Sequence, residues 1–291
     1  MAAAGLALVL LAACDLGDGS GSAVPDEATS GTGVALPAVE PVTVGDKQMA
    51  TRCAGAKKDP SVLLVAGFDT ALDDAWDDVQ AQIGSFSRVC TYDRLGVGGS
   101  EAPPRRQGFA RMADDLDGVV DVLGLRRPVV LVAHSLGGMV AATWAQDHAD
   151  DLAGLVLVDA TPPSYIATAL DVLPTGSARG SEVRRGLQQL LEPGRNAEHL
   201  DGEAAFADAE AFGTLGDVSL IALTHSISDF GGELRPRDAA ALDSAWTGGQ
   251  QKWADLSSQG RVLRVDRAGH FIQQDQPQAV IDAVREVVDA G

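Results

Sequence analysis

The stretch VVLVAHSLGGMV, residues 129–140, decides how the rest of the chain is interpreted. It opens with four apolar residues, as a buried parallel strand does, and continues into small and apolar residues with helical character. The order is therefore strand, sharp turn and helix, with Ser135 at the turn. This is the arrangement of a nucleophile elbow, in which a strained turn exposes a serine hydroxyl. Such a turn needs small residues two positions from the serine. Ala133 and Gly137 fill these places, and Ala133 is one methyl larger than the usual glycine.

Outward from this stretch, short apolar runs alternate with segments of helical periodicity. The runs Val62–Val65, Leu155–Val158 and Val218–Leu223 predict further buried strands, and Arg261–Val265 predicts the last strand. Alternating strands and helices predict an α/β fold with a doubly wound, mostly parallel sheet. The interval 161–216 contains weak helical stretches and no strong strand, so we expect a small helical cap there, inserted after the sixth strand. The folded domain is predicted over residues 42–291.

Composition narrows the classes of partner and cofactor. The chain has 291 residues and a net charge of −19, which argues against nucleic acid or an anionic membrane surface as a partner. No H-E-x-x-H, paired C-x-x-C or Walker motif is present, so no metal or organic cofactor is implied. Nothing in the sequence implies a protein partner.

The first 41 residues differ from the rest. Residues 1–13 contain a short apolar core typical of a signal peptide, which ends in Leu11-Ala12-Ala13-Cys14. This ending resembles the lipobox of bacterial lipoproteins, in which the cysteine is acylated. Residues 14–41 are rich in Gly, Ser, Thr, Pro and acid, which predicts a disordered tether. We therefore expect an exported protein held at the outer face of the cell membrane only through a lipid on Cys14. The alternative is a secreted protein with an ordinary signal peptide.

Two further cysteines lie in predicted strands. Cys53 falls in the early strand Gln48–Cys53 and Cys90 in the strand Ser87–Tyr92. In an exported protein such a pair tends to be oxidised, and neighbouring strands have a Cα separation that suits a disulfide. The alternative is a pair of buried free thiols.

A serine hydroxyl needs a base within hydrogen-bond reach, and the base needs an acid to orient it. His270 follows the last predicted strand, and the carboxyl ends of parallel strands are where sites form in such a sheet. It is therefore the favoured base. His225 also ends a strand and remains a candidate, whereas His134 is expected to point away from Ser135.

The chain order of serine, acid and histidine, together with the elbow, resembles the α/β-hydrolase superfamily over about residues 42–288. Residues 66–69 (AGFD) resemble its oxyanion loop, residues 92–100 (YDRLGVGGS) its strand-4 turn and residues 268–272 (AGHFI) its histidine loop. The resemblance implies that the backbone amides of Phe68 and Leu136 form the oxyanion hole. Residues 52–53 (RC) and 88–94 (RVCTYDR) are similar in part to exported hydrolases of actinobacterial type.

Two aspartates compete for the role of the acid. Asp159 directly follows the strand Leu155–Val158, a position that some members of the superfamily use. Asp229 follows the strand Val218–Leu223 by six residues, near the position that most members use. We favour Asp159 because its strand is well defined and its offset is unambiguous.

These patterns predict a serine hydrolase of carboxylic esters whose partner is a small-molecule ester. A serine at the elbow argues against the dehalogenases and epoxide hydrolases of the superfamily, which use aspartate. Amidase, thioesterase, C–C hydrolase and cofactor-free peroxidase chemistry stay open, because the fold alone does not choose among them. The alternative from another class is a non-catalytic binding protein at the cell surface.

Overall fold

The computed structural model describes residues 33–173, 178–209, 212–228 and 234–291. The predicted signal peptide, Cys14 and most of the predicted tether lie outside these ranges, and so does Asp229. Within them the chain forms eight strands and nine helices. The strands are β1 (Glu40–Val44), β2 (Lys47–Ala54), β3 (Val62–Val65), β4 (Val89–Tyr92), β5 (Val129–His134), β6 (Leu152–Val158), β7 (Ser219–His225) and β8 (Arg261–Val265).

The helices occupy the intervals between the strands and cover both faces of the sheet. They are α1 (Leu72–Ile83), α2 (Phe109–Val122), α3 (Gly137–Asp147), α4 (Tyr165–Val172), α5 (Ala178–Leu191), α6 (Gly202–Ala209), α7 (Pro236–Ala254), α8 (Ile272–Asp275) and α9 (Pro277–Ala290). Among the described residues, no helix combines the length and the apolar character needed to cross a membrane.

One mixed sheet organises the molecule, with strand order β1-β2-β4-β3-β5-β6-β7-β8. β1 and β2 run antiparallel, as do β2 and β4, and every other neighbouring pair is parallel. The predicted α/β class and mostly parallel sheet are therefore confirmed. The five parallel strands from β3 to β7 are short apolar runs because helices cover both of their faces.

Alternate residues of each central strand enter two separate cores. Leu63 and Val65 pack with side chains of α2, α3 and α7 on one face, whereas Val62 and Leu64 pack with α1 and α9 on the other. This is the period of two that a strand imposes on its side chains. The two cores fix the central strands from both faces, so the loops at their carboxyl ends start from rigid positions.

The ordered domain begins earlier than the sequence predicted. β1 starts at Glu40, inside the segment expected to be a tether, and Val34 and Leu36 pack against the core on the α1 face. The amide of Val34 also donates to the carbonyl of Ala81 in α1 at 2.9 Å. Residues 14–41 are polar on average, so their composition did not reveal that Val34 and Leu36, near the end of this segment, pack against the folded domain.

The described part of the interval 161–216, which we call the cap segment, follows β6 and contains α4, α5 and α6. An isolated parallel bridge joins its Leu200 to Gln107, in the loop before α2. The cap segment is thus attached to the hydrogen-bonded framework of the central domain through backbone contacts as well as by packing.

Candidate active site

Ser135 lies at the junction of β5 and α3. Its backbone φ is 52°, a left-handed conformation that residues other than glycine rarely adopt. The turn is tight: a Cβ added to Gly137 would approach the carbonyl oxygens of Val65 and Ala66 to 2.6 and 2.5 Å. A glycine is therefore required two residues after the serine. Ala133, two residues before it, is fully buried in β5, so the fold accommodates its methyl group.

His270 follows β8 and places Nε2 at 2.9 Å from the Oγ of Ser135. Its main-chain carbonyl accepts a hydrogen bond from Nε2 of His134 at 3.0 Å. His134 is buried, and this burial lowers its pKa to about 3. His134 is therefore a neutral ring that supports the histidine loop and, as expected from the sequence, does not contact the serine hydroxyl.

Asp159 directly follows β6, is completely buried and has a φ of 44°. Its Oδ2 accepts a hydrogen bond from Nδ1 of His270 at 2.7 Å, and its Oδ1 accepts one from Nε1 of Trp246 at 2.9 Å. Burial by itself would raise the pKa of Asp159, but hydrogen bonds from His225 and His270 hold it well below its usual value. The carboxylate is therefore ionised at neutral pH. Asp229 lies outside the described residues.

His225, at the end of β7, is a second histidine on the same carboxylate. Its Nδ1 lies 2.8 Å from Oδ2 of Asp159, and its main-chain amide donates to Oδ1 at 3.2 Å. Burial lowers the pKa of His225, but the hydrogen bond and charge of Asp159 outweigh this effect and raise it overall. The sequence identified His225 only as a histidine at a strand end. The signal it lacked was the pairing of β6 with β7, which brings the two carboxyl ends together.

The candidate oxyanion loop packs directly against the elbow. A Cβ built on Gly67 would lie 3.2 Å from Cβ of Ser135, so the absence of a side chain at Gly67 permits this close approach. The two expected oxyanion donors are the backbone amide of Phe68, next to Gly67, and the backbone amide of Leu136, next to Ser135 at the start of α3. Neither amide donates to another group within the described residues. The Oγ1 of Thr161 lies 3.4 Å from the Oγ of Ser135.

An ion pair behind the oxyanion loop was not anticipated from the sequence. Arg94, after β4, and Glu198, in the cap segment, are both buried, and Nε of Arg94 lies 2.8 Å from Oε2 of Glu198. A buried carboxylate needs a cationic partner. The two residues are 104 positions apart, and no periodicity in the sequence connects them.

The structure also places the two cysteines that lie in predicted strands. Cys53 in β2 and Cys90 in β4 form a disulfide, as predicted, because these residues are paired in the register of the two antiparallel strands. Across the ranges that the structure describes, no group of three or more His, Cys, Asp or Glu side chains is arranged to hold a metal ion.

Comparison with known proteins identifies a matching family model and several relatives by sequence. A sequence model of the family described as the alpha/beta hydrolase fold matches residues 60–191. The chain is 24% identical over 227 residues to the uncharacterized protein YqjL of Bacillus subtilis, a match that covers 78% of this chain and 83% of that protein. It is 34% identical over 116 residues to epoxide hydrolase 3 of Xenopus tropicalis, which covers 38% of this chain and 30% of that protein. The chain thus spans less than a third of that second relative.

Solved structures resemble the whole described fold. A thermophilic esterase from Thermogutta terrifontis superposes with a TM-score of 0.56 at 22% identity, covering 86% of this chain and 97% of that one. At this level of identity the similarity establishes the fold and leaves the reaction to be argued from the site.

Proposed function

We propose that this chain, which has the alpha/beta hydrolase fold, is a serine hydrolase of carboxylic esters and a member of the α/β-hydrolase superfamily. One observation carries the proposal. A continuous hydrogen-bond relay runs from Oγ of Ser135 to Nε2 of His270 at 2.9 Å, and from Nδ1 of His270 to Asp159 at 2.7 Å. The serine that begins this relay is held in a strained turn. A protein that only bound ligands would need neither the relay nor the strain.

The chemistry follows from the positions of the protons. Because the anionic Asp159 accepts from Nδ1, His270 carries its proton there and leaves Nε2 free to accept the proton of Ser135. The alkoxide oxygen attacks the ester carbonyl carbon, and the carbonyl π electrons move to its oxygen. The resulting oxyanion is stabilised by the amides of Phe68 and Leu136, each such donor typically contributing about 3 kcal/mol.

Collapse of the tetrahedral intermediate breaks the bond to the alkoxy group, and His270 returns its proton to the departing alcohol. Water then enters, gives a proton to His270 and attacks the acyl carbon. Expulsion of the serine oxygen, which takes the proton back from His270, releases the carboxylic acid and restores the enzyme. No cofactor takes part in the proposed cycle.

The proposed location is outside the cytoplasm. The disulfide between Cys53 and Cys90 supports this proposal, because structural disulfides persist in oxidising compartments. Attachment through a lipid on Cys14 is the further part of the proposal. It would confine membrane contact to the N-terminus. The expected partner of the active site is a small-molecule ester.

The test of the function is covalent. A fluorophosphonate probe is expected to label the purified protein at Ser135 and to abolish hydrolysis of p-nitrophenyl esters. Ser135→Ala is expected to lose both labelling and hydrolysis. Ser258→Ala, which alters an exposed serine, serves as the matched control and is expected to keep both. A well-folded Ser135→Ala protein that still hydrolyses the ester would refute the proposal, and absence of labelling in the wild type would favour a binding protein.

A further inference from the structure

The buried ion pair between Arg94 and Glu198 lies directly behind the loop that carries the amide of Phe68. We propose that Arg94 and Glu198 are positioning residues that fix the orientation of this amide, so that the geometry of the oxyanion hole depends on a residue of the cap segment. The inference rests on the proposed function and assigns to it two residues that do not contact the reacting atoms.

The first step of the argument concerns the peptide before Phe68. A peptide unit is planar and trans, so its carbonyl and its N–H point in opposite directions. The carbonyl of Gly67 and the N–H of Phe68 belong to one such unit. Nη2 of Arg94 donates to this carbonyl at 2.7 Å, and Nη1 donates to the carbonyl of Ala66 at 2.6 Å. By holding the carbonyl on one side, Arg94 directs the N–H of Phe68 to the other.

The second step concerns the peptide after Phe68. The N–H of Asp69 donates to Oε1 of Glu198 at 2.8 Å, so this unit is also held from outside the loop. Asp69 has a φ of 50°, a conformation in which few residues persist without support. Both peptide units that flank the Cα of Phe68 are therefore held by the same pair of side chains.

The third step concerns the pair itself. Glu198 has no exposed surface, and both of its carboxylate oxygens accept from Arg94, at 2.8 and 2.9 Å. A two-point contact of this kind fixes the plane of the guanidinium as well as its position. Lysine would preserve the charge of Arg94 but not this fork of donors. The orientation of the loop therefore depends on the shape of the guanidinium and not on charge alone.

The fourth step concerns the anchoring of Glu198. Nε2 of Gln107 donates to the main-chain carbonyl of Glu198 at 2.7 Å, and the amide of Gln107 donates to the carbonyl of His199 at 3.1 Å. Gly96 has a φ of 89°, and a Cβ there would approach the carbonyl oxygen of Ala197 to 2.2 Å. The turn after β4 is thus built to receive this part of the cap segment, and Glu198 is held rigidly enough to position another group.

The experiment uses two separate single variants, Glu198→Gln and Arg94→Lys. Arg127→Lys is the matched control, because Arg127 also binds carboxylates, those of Asp117, Asp121 and Asp151, but precedes β5 at the opposite end of the sheet from Ser135. Each protein is assayed for kcat and KM on a p-nitrophenyl ester, for affinity toward a boronic acid that forms a tetrahedral adduct with the serine, and for melting temperature.

For Glu198→Gln and Arg94→Lys we expect kcat to fall about 10–100-fold while KM changes less than about threefold, since only transition-state stabilisation is lost. Affinity for the boronic acid should fall by a similar factor. Arg127→Lys should keep wild-type kcat. If both site variants are folded and retain wild-type kcat and boronic acid affinity, the pair stabilises the fold only and the inference is wrong. If Glu198→Gln fails to fold, Arg94→Lys, which keeps both charges, decides the question.

A second readout separates this inference from the proposed function. Amide hydrogen exchange of Asp69 should be slow in the wild type and at least about tenfold faster in Glu198→Gln, because a charged acceptor is replaced by a neutral one. If the wild type neither hydrolyses esters nor binds the boronic acid, the proposed function fails and exchange alone tests the positioning. Unchanged exchange would then overturn the inference, and faster exchange would support it.

Discussion

The carboxylate of Asp159 accepts more hydrogen bonds than any other side chain described at the site makes, and its negative charge determines the tautomer of His270. An asparagine there would present an NH2 group or a neutral oxygen to Nδ1. Asp159→Asn is therefore expected to lower kcat by about 10³–10⁴, as loss of the triad aspartate does in serine proteases. The measurement is steady-state hydrolysis of a p-nitrophenyl ester.

The matched control for this prediction is Asp266→Asn, an exposed carboxylate after β8 that is expected to leave kcat unchanged. If kcat of a folded Asp159→Asn protein falls less than about tenfold, another acid orients His270. Asp229 would then be the next residue to change, because the sequence left it open and it lies outside the described ranges.

At the residue scale, the sequence identified the groups whose positions follow from the fold class. Ser135 could be inferred because it directly follows β5, and His270 because it lies in the short loop after β8; strand ends converge in a parallel sheet. Glu198 could not be inferred, since it lies in a loop of the cap segment and its importance comes from a partner brought near by the tertiary fold. His225 was visible as a histidine but lacked a role until β7 was paired with β6.

Among the elements, β2 and β4 are joined twice, by their ladder and by the disulfide. Cys53→Ala/Cys90→Ala should lower the free energy of unfolding by about 2–4 kcal/mol, because the closed loop of 37 residues no longer restricts the unfolded chain. Urea denaturation of the wild type and the double variant measures the difference. Dithiothreitol should destabilise the wild type and leave the double variant unchanged. Equal stability of the wild type and the double variant in the absence of dithiothreitol would contradict the prediction.

The elements that the sequence predicted well are those with a strong local pattern. The buried strands β3, β5 and β6 are continuous apolar runs, and such runs bounded by turns have few other interpretations. β1 was missed because Glu40–Val44 is mostly exposed and its pairing with β2 is what makes it a strand. Edge strands of this kind owe their structure to a neighbour, which composition alone does not reveal.

For the whole molecule, unfolding is coupled to the proton bound by His225. A group whose pKa is raised in the folded state stabilises the protein fully below its unfolded pKa of about 6.5, and this contribution is lost as pH rises through the folded pKa. His225 has such a raised pKa because of Asp159. His225→Gln should therefore destabilise the protein more at about pH 5.5 than at about pH 9.

Urea denaturation of both proteins at the two pH values measures this difference. The control is a double-mutant cycle with Asp159→Asn: without the carboxylate, the effect of His225→Gln should no longer depend on pH. A pH dependence that is the same in both backgrounds would assign the raised pKa to other groups, such as Asp243.

The bond between Cys53 and Cys90 also has a mechanical consequence. A chain pulled from its two ends lengthens by about 3.3–3.6 Å for each residue released. The two cysteines are 37 positions apart, and the chain between them cannot be extended while the bond is intact, so about 120–130 Å of contour stays hidden from the applied force. This hidden length contains β3 and the loop that carries Phe68, but neither Ser135 nor His270. Tension transmitted along the backbone would therefore separate the nucleophile and its base while the segment between the cysteines carried no load.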